Sequence, residues 1–222
     1  MSGEGDFIAL MRGLATHSGA RGLQDDAAVL EVGGAQIVLT HDMLVEGVHF
    51  LPDDPAGTVA WKLVAVNLSD LAAKGATPLG ALLGFSMAGN NAWDSAFARG
   101  LGDALAAFDL PLLGGDTVAL SSGTPRSLGL TAIGSAPSCG APARSGAKPG
   151  DVLYVSGTIG DAGAGLALLR TGQAEPASLI DTYRRPMPDL ALGQTLAPLV
   201  SAMADVSDGL LIDANRIAQA SG

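Results

Sequence analysis

The chain has 222 residues, of which 48% are hydrophobic and 4% aromatic, and its formal net charge is −10. This length allows one or two domains, and the composition is typical of a close-packed α/β protein rather than a disordered one. The negative charge argues against a nucleic-acid partner, which needs a basic face, but it is compatible with bound divalent cations.

The sequence gives no sign of export or of a membrane-spanning segment. The first ten residues lack the basic stretch of a secretory signal, and no apolar run approaches the roughly 20 residues of a membrane span. Cys139 is the only cysteine, which excludes an intrachain disulfide and a multi-cysteine zinc site. We therefore expect a cytoplasmic protein with no membrane partner.

Hydrophobic periodicity and turn residues predict alternating helices and strands in the first 136 residues. The predicted elements, in chain order, are a helix over 5–16, a hairpin of two strands within 27–42, a helix over 56–76, a strand over 79–88, a helix over 93–108, and strands over 110–120 and 126–136. Gly33 and Gly34 are expected to form the hairpin turn. Thr58 is the predicted N-cap of the helix over 56–76, Gly75 marks its end, and residues 114–116 predict a Gly-Gly-Asp turn.

A stretch rich in Pro, Gly and Ser at residues 137–148 predicts a domain boundary. We expect an N-terminal domain over 1–140 and a second domain over 145–222. The second part is predicted to contain a strand over 151–157, a helix within 158–172, a helix over 187–200, and a short strand at 201–209 that leads into a final helix.

Aspartates recur where an apolar segment reaches a turn or a group of small residues. They are Asp25, Asp26, Asp42, Asp70, Asp116, Asp205 and Asp208. Asp70 is the most informative, because Asn67, Ser69 and Asp70 interrupt an apolar helix with oxygen-bearing side chains that a buried face tolerates only with partners. Two interpretations remain open for it. It forms an ion pair with Lys74 one turn later, or it belongs to a set of oxygen ligands for a hard cation, which we favour.

Magnesium is the cation that such ligands favour. The three histidines form no HExxH pair, and the chain has no EF-hand loop, so zinc and calcium are disfavoured. Mg²⁺ held by several aspartates is typical of phosphoryl transfer, although the chain has no Walker or protein-kinase motif.

Two further segments offer phosphate contacts, each with a structural alternative. The Gly-rich segment 156–169 is either a phosphate cradle at a helix start or a tight turn with Asp161 as its cap. Arg144 and Lys148 are either phosphate ligands beside the domain junction or parts of an exposed linker.

Eight segments, taken in order along nearly the whole chain, carry a family resemblance. They are DDAAVL, THDMLVEGVHF, AWKLVAVNLSDLAAKGATP, GGDTV, RSGAKPGD, VSGTIGDAGAGLALL, RRPMP and DVSDGLLIDANRIA. In this order they resemble the thiamine-monophosphate kinase family, which belongs to the superfamily of aminoimidazole ribonucleotide synthetase and selenophosphate synthetase. The segments EGVHF and NLSDLAAKGA point to the thiamine-phosphate branch.

The resemblance implies an ATP- and Mg²⁺-dependent enzyme that passes the γ-phosphoryl group of ATP to thiamine phosphate, giving thiamine diphosphate and ADP. It also implies a two-domain α/β (α+β) fold in which N-terminal sheets pair into a homodimer and the site lies between the domains. No covalent phospho-enzyme and no general base are needed, because the attacking phosphate oxygen is already anionic and positioning with charge neutralisation lowers the barrier.

The same resemblance implies the site residues. Oxygen ligands of Mg²⁺ are expected from Asp26, Thr40, Asp42, Asp70, Asp116, Asp205 and Asp208. ATP contacts are expected from Gly115, Asp116, Arg144 and Ser207, and His49 is expected to contact thiamine phosphate. Helix capping alone accounts for Asp208 but not for Asp205, and Asp213 is left as structural or unassigned.

The chain departs from the family pattern at several points. His41 stands where a hydroxyl residue is usual, Ala98 aligns with an expected nucleotide-contacting aromatic, and Gln24 replaces a glycine before the aspartate pair. The family also continues well past residue 222, so the second domain is expected to be incomplete. Two alternatives to an active kinase stay open. They are another ATP-using member of the superfamily, and a nucleotide-binding dimer that is inert because its C-terminal part is missing.

Overall fold

The computed structural model describes residues 3–121 and 123–222, and it has a mixed α/β architecture, as expected. Its sheet has five strands, β1 (Ala28–Val32), β2 (Ala35–Val45), β3 (Thr77–Met87), β4 (Leu112–Ala119) and β5 (Ser127–Ser135), in the order β1-β2-β5-β3-β4. The β3–β4 pair is parallel, and the other neighbours are antiparallel. The predicted hairpin is confirmed, since Val32 pairs with Ala35 and the two glycines between them have positive φ.

The described residues contain seven α-helices: α1 (Gly3–Arg12), α2 (Ala56–Ala73), α3 (Asn91–Ala107), α4 (Asp161–Arg170), α5 (Ala177–Arg184), α6 (Leu190–Leu196) and α7 (Leu210–Ser221). A short 3₁₀ helix lies at Ser18–Leu23. Helix α2 contacts β2 and β5, and its fully buried Leu63, Leu68 and Leu71 form the core with Leu128 and Leu130 of β5. This burial fixes which side of α2 faces the sheet.

Two glycines let α3 lie directly against α2. A Cβ atom added at Gly100 would lie 2.3 Å from the Cα atom of Gly57, whereas one added at Gly102 would meet nothing within 4 Å. Gly100 therefore has a packing reason that outweighs its low helix propensity.

The ends of α2 agree with the prediction at one end only. Its N-cap is Pro55, and Thr58 instead donates its hydroxyl to the Pro55 carbonyl oxygen at 2.8 Å, so the predicted N-cap was wrong by one turn. The C-terminal end follows the prediction, because Gly75 has a φ of +60° and the amide of Ala76 donates to the Leu71 carbonyl at 2.9 Å. This is the Schellman arrangement that glycine permits.

Three local predictions were wrong for a shared reason, namely the presence or absence of a neighbouring strand. Residues 114–116 form no turn but lie inside β4, where Gly114, Gly115 and Asp116 pair with β3. Segments 151–157 and 201–209 form no strand, because neither pairs with another strand of the described chain. Helix α5, which the sequence did not predict, occupies the stretch between the predicted helices.

Part of the sheet carries exposed apolar side chains. Strand β4 is exposed along its whole length, with Leu113 exposed to 59% and Val118 to 51%. Met43 of β2 and Leu82 of β3 are also exposed, and strand alternation places them on the face away from α2. An uncovered apolar sheet face of this kind is typical of an interaction surface.

None of the described helices has both the length and the apolar character that crossing a membrane requires.

Candidate functional site

Three aspartates from distant parts of the chain form a compact cluster. Asp26 precedes β1, Asp70 lies in α2, and Asp205 lies in the segment before α7. Each of them offers a carboxylate oxygen within 4.8 Å of the others. Carboxylates at such distances repel one another strongly unless cations or protons are shared among them.

Asp70 is placed by contacts between α2 and β2. The hydroxyl of Thr40 donates to Oδ2 of Asp70, which links the strand to the helix. One turn earlier, Asn67 is fully buried, accepts from the backbone amide of Asp42 at 3.0 Å and donates to the Leu63 carbonyl at 2.9 Å. The polar interruption of α2 therefore has two functions, because Asn67 fixes the strand and Asp70 joins the carboxylate cluster.

Burial and neighbouring negative charge make Asp42, Asp70 and Asp205 hard to ionise without a cation. Burial, with the charge of Asp205 beside it, raises the pKa of Asp70 to about 8. Burial and the nearby Asp26 raise the pKa of Asp205 to about 6. Burial also raises the pKa of Asp42. A divalent cation bound among them would reverse these shifts.

Basic side chains hold the aspartate pair that precedes β1. Lys74 is fully buried, and its ammonium lies 2.5 Å from Asp25, 2.7 Å from Asp26 and 3.1 Å from the Met203 carbonyl. Burial opposes ionisation of Asp25, but Lys74 and Arg21 together lower its pKa. The ion pair considered between Lys74 and Asp70 is not formed, because Lys74 points to the aspartate pair instead.

The donor set fits a hard divalent cation. Both carboxylate oxygens of Asp26 are buried and lack a well-aligned hydrogen bond in the described residues, although Lys74 and Arg144 lie within ion-pair distance of them. The cluster contains aspartates alone, with Thr40 hydrogen-bonded to it and Asp42 adjacent. Oxygen donors without nitrogen or sulfur suit Mg²⁺ better than zinc.

A cavity of about 480 Å³ opens beside this cluster. Its acidic end is lined by Asp26, Asp42, Asp70 and Asp205, together with Arg144 and Ser207. Arg144 pairs with Asp26, while its Nε is buried without a hydrogen-bond partner in the described residues. Because Arg144 lines the cavity, its guanidinium charge lies beside the space that an anionic ligand would occupy.

Part of the remaining cavity wall comes from residues that the sequence analysis did not assign to the site. They are Lys62 and Val66 of α2, Thr182 and Tyr183 of α5, and residues 186–188 after α5. A lysine within the apolar run AWKLVAV was the available signal, since a buried face rarely tolerates an unpaired ammonium. The segment RRPMP was noted for its order in the chain and not for this position.

Four residues predicted for the site lie elsewhere in the described chain. Gly115 and Asp116 are exposed in β4 and do not line the cavity. The Asp208 side chain is 54% exposed and pairs with Arg216 at 2.5 Å. The His49 ring accepts from the Val45 amide through Nδ1 at 2.9 Å, within its own turn. Their predicted roles in binding metal, ATP and thiamine phosphate stay predictions.

Asp213, which the sequence left unassigned, fixes the loop that carries Ser207. It is 2% exposed, and its Oδ2 accepts the successive amides of Ser207, Asp208 and Gly209 at 3.0, 3.0 and 3.2 Å. Arg216 donates to its other oxygen at 2.8 Å. One buried carboxylate therefore sets the course of the backbone between the cavity and α7, where neither Ser207 nor Asp208 acts as the cap.

His41 and Ala98, two positions at which the chain departs from the family pattern, lie apart from the carboxylate cluster. His41 bonds to Thr131 at 2.9 Å and, by strand alternation, faces away from Thr40 and Asp42. Ala98 is exposed on α3. At the Gly-rich segment the cap of α4 is Gly160, so the predicted cap role of Asp161 was wrong.

Comparisons with known proteins agree with the family resemblance that the order of the sequence motifs indicated. Residues 24–136 match the N-terminal domain model of AIR synthase related proteins, and residues 148–222 match the C-terminal domain model. The thiamine-monophosphate kinase of Caulobacter vibrioides is 47% identical over 205 residues, covering 90% of this chain and 57% of its own length. That of Escherichia coli K12 is 42% identical over 207 residues, covering 90% and 62%.

A solved structure of AaThiL complexed with AMPPCP and TMP has the same fold. It superposes with a TM-score of 0.89 at 31% sequence identity, covering 97% of this chain and 69% of that one. The chain thus spans about three fifths of the length of the two curated relatives named above. Because the N-terminal domain model alone matches about half of the chain and the C-terminal model follows it in order, the chain belongs to the AIR synthase related protein family.

Proposed function

We propose that this protein transfers the γ-phosphoryl group of ATP to the phosphate of thiamine phosphate, giving thiamine diphosphate and ADP. The observation that carries the proposal is the cluster of Asp26, Asp70 and Asp205 at one end of a cavity that also contains Arg144 and Ser207. Its support from the comparisons is the similarity, over 90% of the chain, to proteins named thiamine-monophosphate kinase.

Asp26, Asp70 and Asp205 would hold Mg²⁺, with Thr40 and Asp42 beside them. When bound, the ion would neutralise charge between two polyanions and so let the acceptor phosphate approach the γ-phosphate. Asp116 and Asp208, which lie away from this cluster, are proposed as further ligands on the resemblance alone. The donor chemistry of the three clustered aspartates supports a hard cation, as argued above.

The chain's own residues would bind and orient the two substrates. Arg144 lines the cavity, where its guanidinium would contact a nucleotide phosphate, and Ser207 lies on the loop that Asp213 fixes. An oxygen of the acceptor phosphate forms the new P–O bond while the bond between the γ-phosphorus and the β–γ bridging oxygen breaks, and ADP leaves. No side chain needs to take a proton, because the attacking oxygen is already anionic.

The reaction itself tests the proposal. The chain is incubated with ATP, MgCl₂ and thiamine phosphate, and thiamine diphosphate is detected by its fluorescence after oxidation. Product formation that requires all three components supports the kinase. ATP turnover without thiamine diphosphate favours another ATP-using member of the superfamily. Nucleotide binding without any turnover favours the inert dimer.

We also propose that two copies pair through their sheets. The support is the exposed apolar face that includes Leu82, Leu113 and Val118, which a second copy would cover. Light scattering coupled to gel filtration should give a dimer, and Leu113→Asp should give a monomer. Leu199→Asp, at a position 76% exposed outside the sheet, is the control and should leave the mass unchanged. A wild-type monomer would contradict the pairing.

Two further predictions from the sequence belong with this proposal. The division into domains over 1–140 and 145–222 is proposed from the Pro- and Gly-rich stretch between them. A cytoplasmic location is proposed from the composition and the single cysteine, and fractionation of the source cells would test it.

A further inference from the structure

Lys62 of α2 is a buried cation on the wall of the cavity. The residue is 8% exposed and lines the same cavity as the carboxylate cluster. Its ammonium donates to the His49 carbonyl at 3.2 Å and lies 3.4 Å from the centre of the Tyr183 ring. No carboxylate oxygen of the described residues lies within ion-pair distance of it, so its charge has no counter-ion there.

The nearest acidic side chain already has its own partners. Asp54 accepts from Arg184 at 2.8 Å, from the Tyr183 hydroxyl at 3.1 Å and from the Leu51 amide at 2.8 Å. Arg184 therefore balances the charge of Asp54. The pair holds α5 against the start of α2 and leaves Lys62 as the unmatched charge.

The environment of Lys62 favours an incoming anion. Burial lowers the pKa of Lys62 to about 8, and Asp54 offsets only part of this effect, so the side chain is still largely protonated near neutral pH. A lysine ammonium has three N–H donors, and only one of them is used by the His49 carbonyl. A buried ammonium without a counter-ion is costly, and an anionic ligand in the cavity would remove that cost.

The position of Lys62 separates it from the metal cluster along the same helix. It lies eight residues before Asp70, which is about 12 Å along the helix axis. Val66 and Ser69 lie between them on the cavity wall. The cavity wall therefore has an acidic end that suits a cation and, further along α2, the buried ammonium of Lys62, which suits an anion.

We infer that Lys62 forms a phosphate-binding position in this cavity, apart from the carboxylate cluster, and contacts a phosphate group of one of the two substrates. The inference rests on the proposed function for the identity of the ligands. The phosphate would come from the acceptor or from the nucleotide, and both present the same oxygens to an ammonium. A structural role is the competing explanation, in which Lys62 serves only to hold Tyr183 through a cation–π contact.

The chain has only three lysines, Lys62, Lys74 and Lys148, so their side-chain signals can be resolved in protein labelled with ¹³C and ¹⁵N at lysine. The labelled chain is titrated with inorganic phosphate, thiamine phosphate, thiamine, and AMPPCP with MgCl₂. We expect the Lys62 signal to shift, and its titration midpoint to rise, with a phosphate-bearing ligand and not with thiamine.

The arms of this titration identify the source of the phosphate. A shift with thiamine phosphate assigns Lys62 to the acceptor, and a shift with AMPPCP assigns it to the nucleotide. A Lys62 signal that none of the phosphate-bearing ligands moves, whether or not they bind elsewhere, overturns the inference. If the Lys62 signal shifts but no thiamine diphosphate forms, the inference about Lys62 stands and the proposed kinase activity is refuted. If thiamine diphosphate forms but the Lys62 signal does not shift, the kinase activity stands and the inference about Lys62 is refuted.

Substitutions separate the phosphate role from the structural one. Lys62→Gln should weaken binding of the responding phosphate ligand about tenfold or more, Lys62→Arg should restore part of it, and Arg99→Gln, an exposed substitution on α3, should change nothing. Because Lys62→Gln removes a buried charge that has no counter-ion in the described residues, the ligand-free variant should melt at a temperature no lower than that of the wild type. A lower melting temperature with unchanged ligand affinity would establish the structural role instead.

Discussion

Replacing Asp70 by Asn should stabilise the metal-free protein while removing its response to magnesium. The side chain is 8% exposed, and its pKa lies at about 8 against an ordinary value of 3.8. At 1.36 kcal/mol for each pKa unit, the raised pKa destabilises the folded metal-free protein by on the order of 4 kcal/mol at pH 7, because Asp70 is ionised in the unfolded state and still mostly protonated in the folded state. Asparagine avoids this cost and can still accept the hydrogen bond that Thr40 donates to the carboxylate.

The sign of the pH dependence follows from the raised pKa. Below about pH 4, Asp70 is protonated in both the folded and the unfolded state, so the substitution changes little. As the pH rises from about 4 to 8, the unfolded state ionises first, and the wild-type protein loses stability relative to Asp70→Asn. The difference should reach its full size above about pH 8.

Chemical denaturation at several pH values, in EDTA and in excess MgCl₂, measures both effects. In EDTA at pH 8 the free energy of unfolding should be higher for Asp70→Asn than for the wild type. In MgCl₂ the wild type should gain stability, and Asp70→Asn should gain much less. Asp103→Asn, an exposed substitution on α3, is the matched control and should follow the wild type. If Asp70→Asn were less stable than the wild type in EDTA, or responded equally to magnesium, the assignment of Asp70 to a cation site would be refuted.

Three further substitutions test the packing and the polar contacts around the site by the free energy of unfolding. Gly100→Ala should cost several kcal/mol, because its Cβ atom would lie 2.3 Å from the Cα atom of Gly57. Gly102→Ala, the control, should be neutral or stabilise by up to about 1 kcal/mol, and equal effects of the two substitutions would contradict the close approach of the two helices. Asp213→Ala should cost about 2–3 kcal/mol, because three backbone amides lose their acceptor. The affinity for nucleotide should also fall, and an unchanged affinity would show that the loop keeps its course without this carboxylate. Lys74→Met should cost about 3–5 kcal/mol by leaving two buried carboxylates without their shared cation, and a loss below 1 kcal/mol would argue against that pairing.

Hydrophobic periodicity and turn residues were sufficient to predict most of the helices and strands in the N-terminal half of the chain. The hairpin at Gly33 and Gly34, the C-terminal end of α2 at Gly75, and the strands that became β3 and β5 depend on residues close together in sequence. Such features are readable because backbone conformation and hydrophobic alternation are local properties. The order of the aspartate-bearing motifs likewise indicated the family before any contact was known.

Where local signals failed, a distant partner decided the outcome. The Gly-Gly-Asp sequence at 114–116 is a turn signal on its own, yet β3 draws it into a strand. Segment 151–157 contains the short apolar run of a strand but has no neighbouring strand in the described chain, so it forms no ladder. A strand needs a partner for its backbone groups, and the sequence of one segment does not name that partner.

The sequence by itself therefore determined the family, the helix and strand pattern of the first half, and the acidic chemistry of the candidate site. Tertiary structure alone decided which of those aspartates meet and that Lys74 pairs with Asp25 and Asp26 rather than with Asp70. It also decided that no carboxylate of the described residues lies within ion-pair distance of Lys62. The physical reason is that pKa values, ion pairing and burial depend on which side chains are brought together through space. Spacing along the chain limits those meetings but does not specify them.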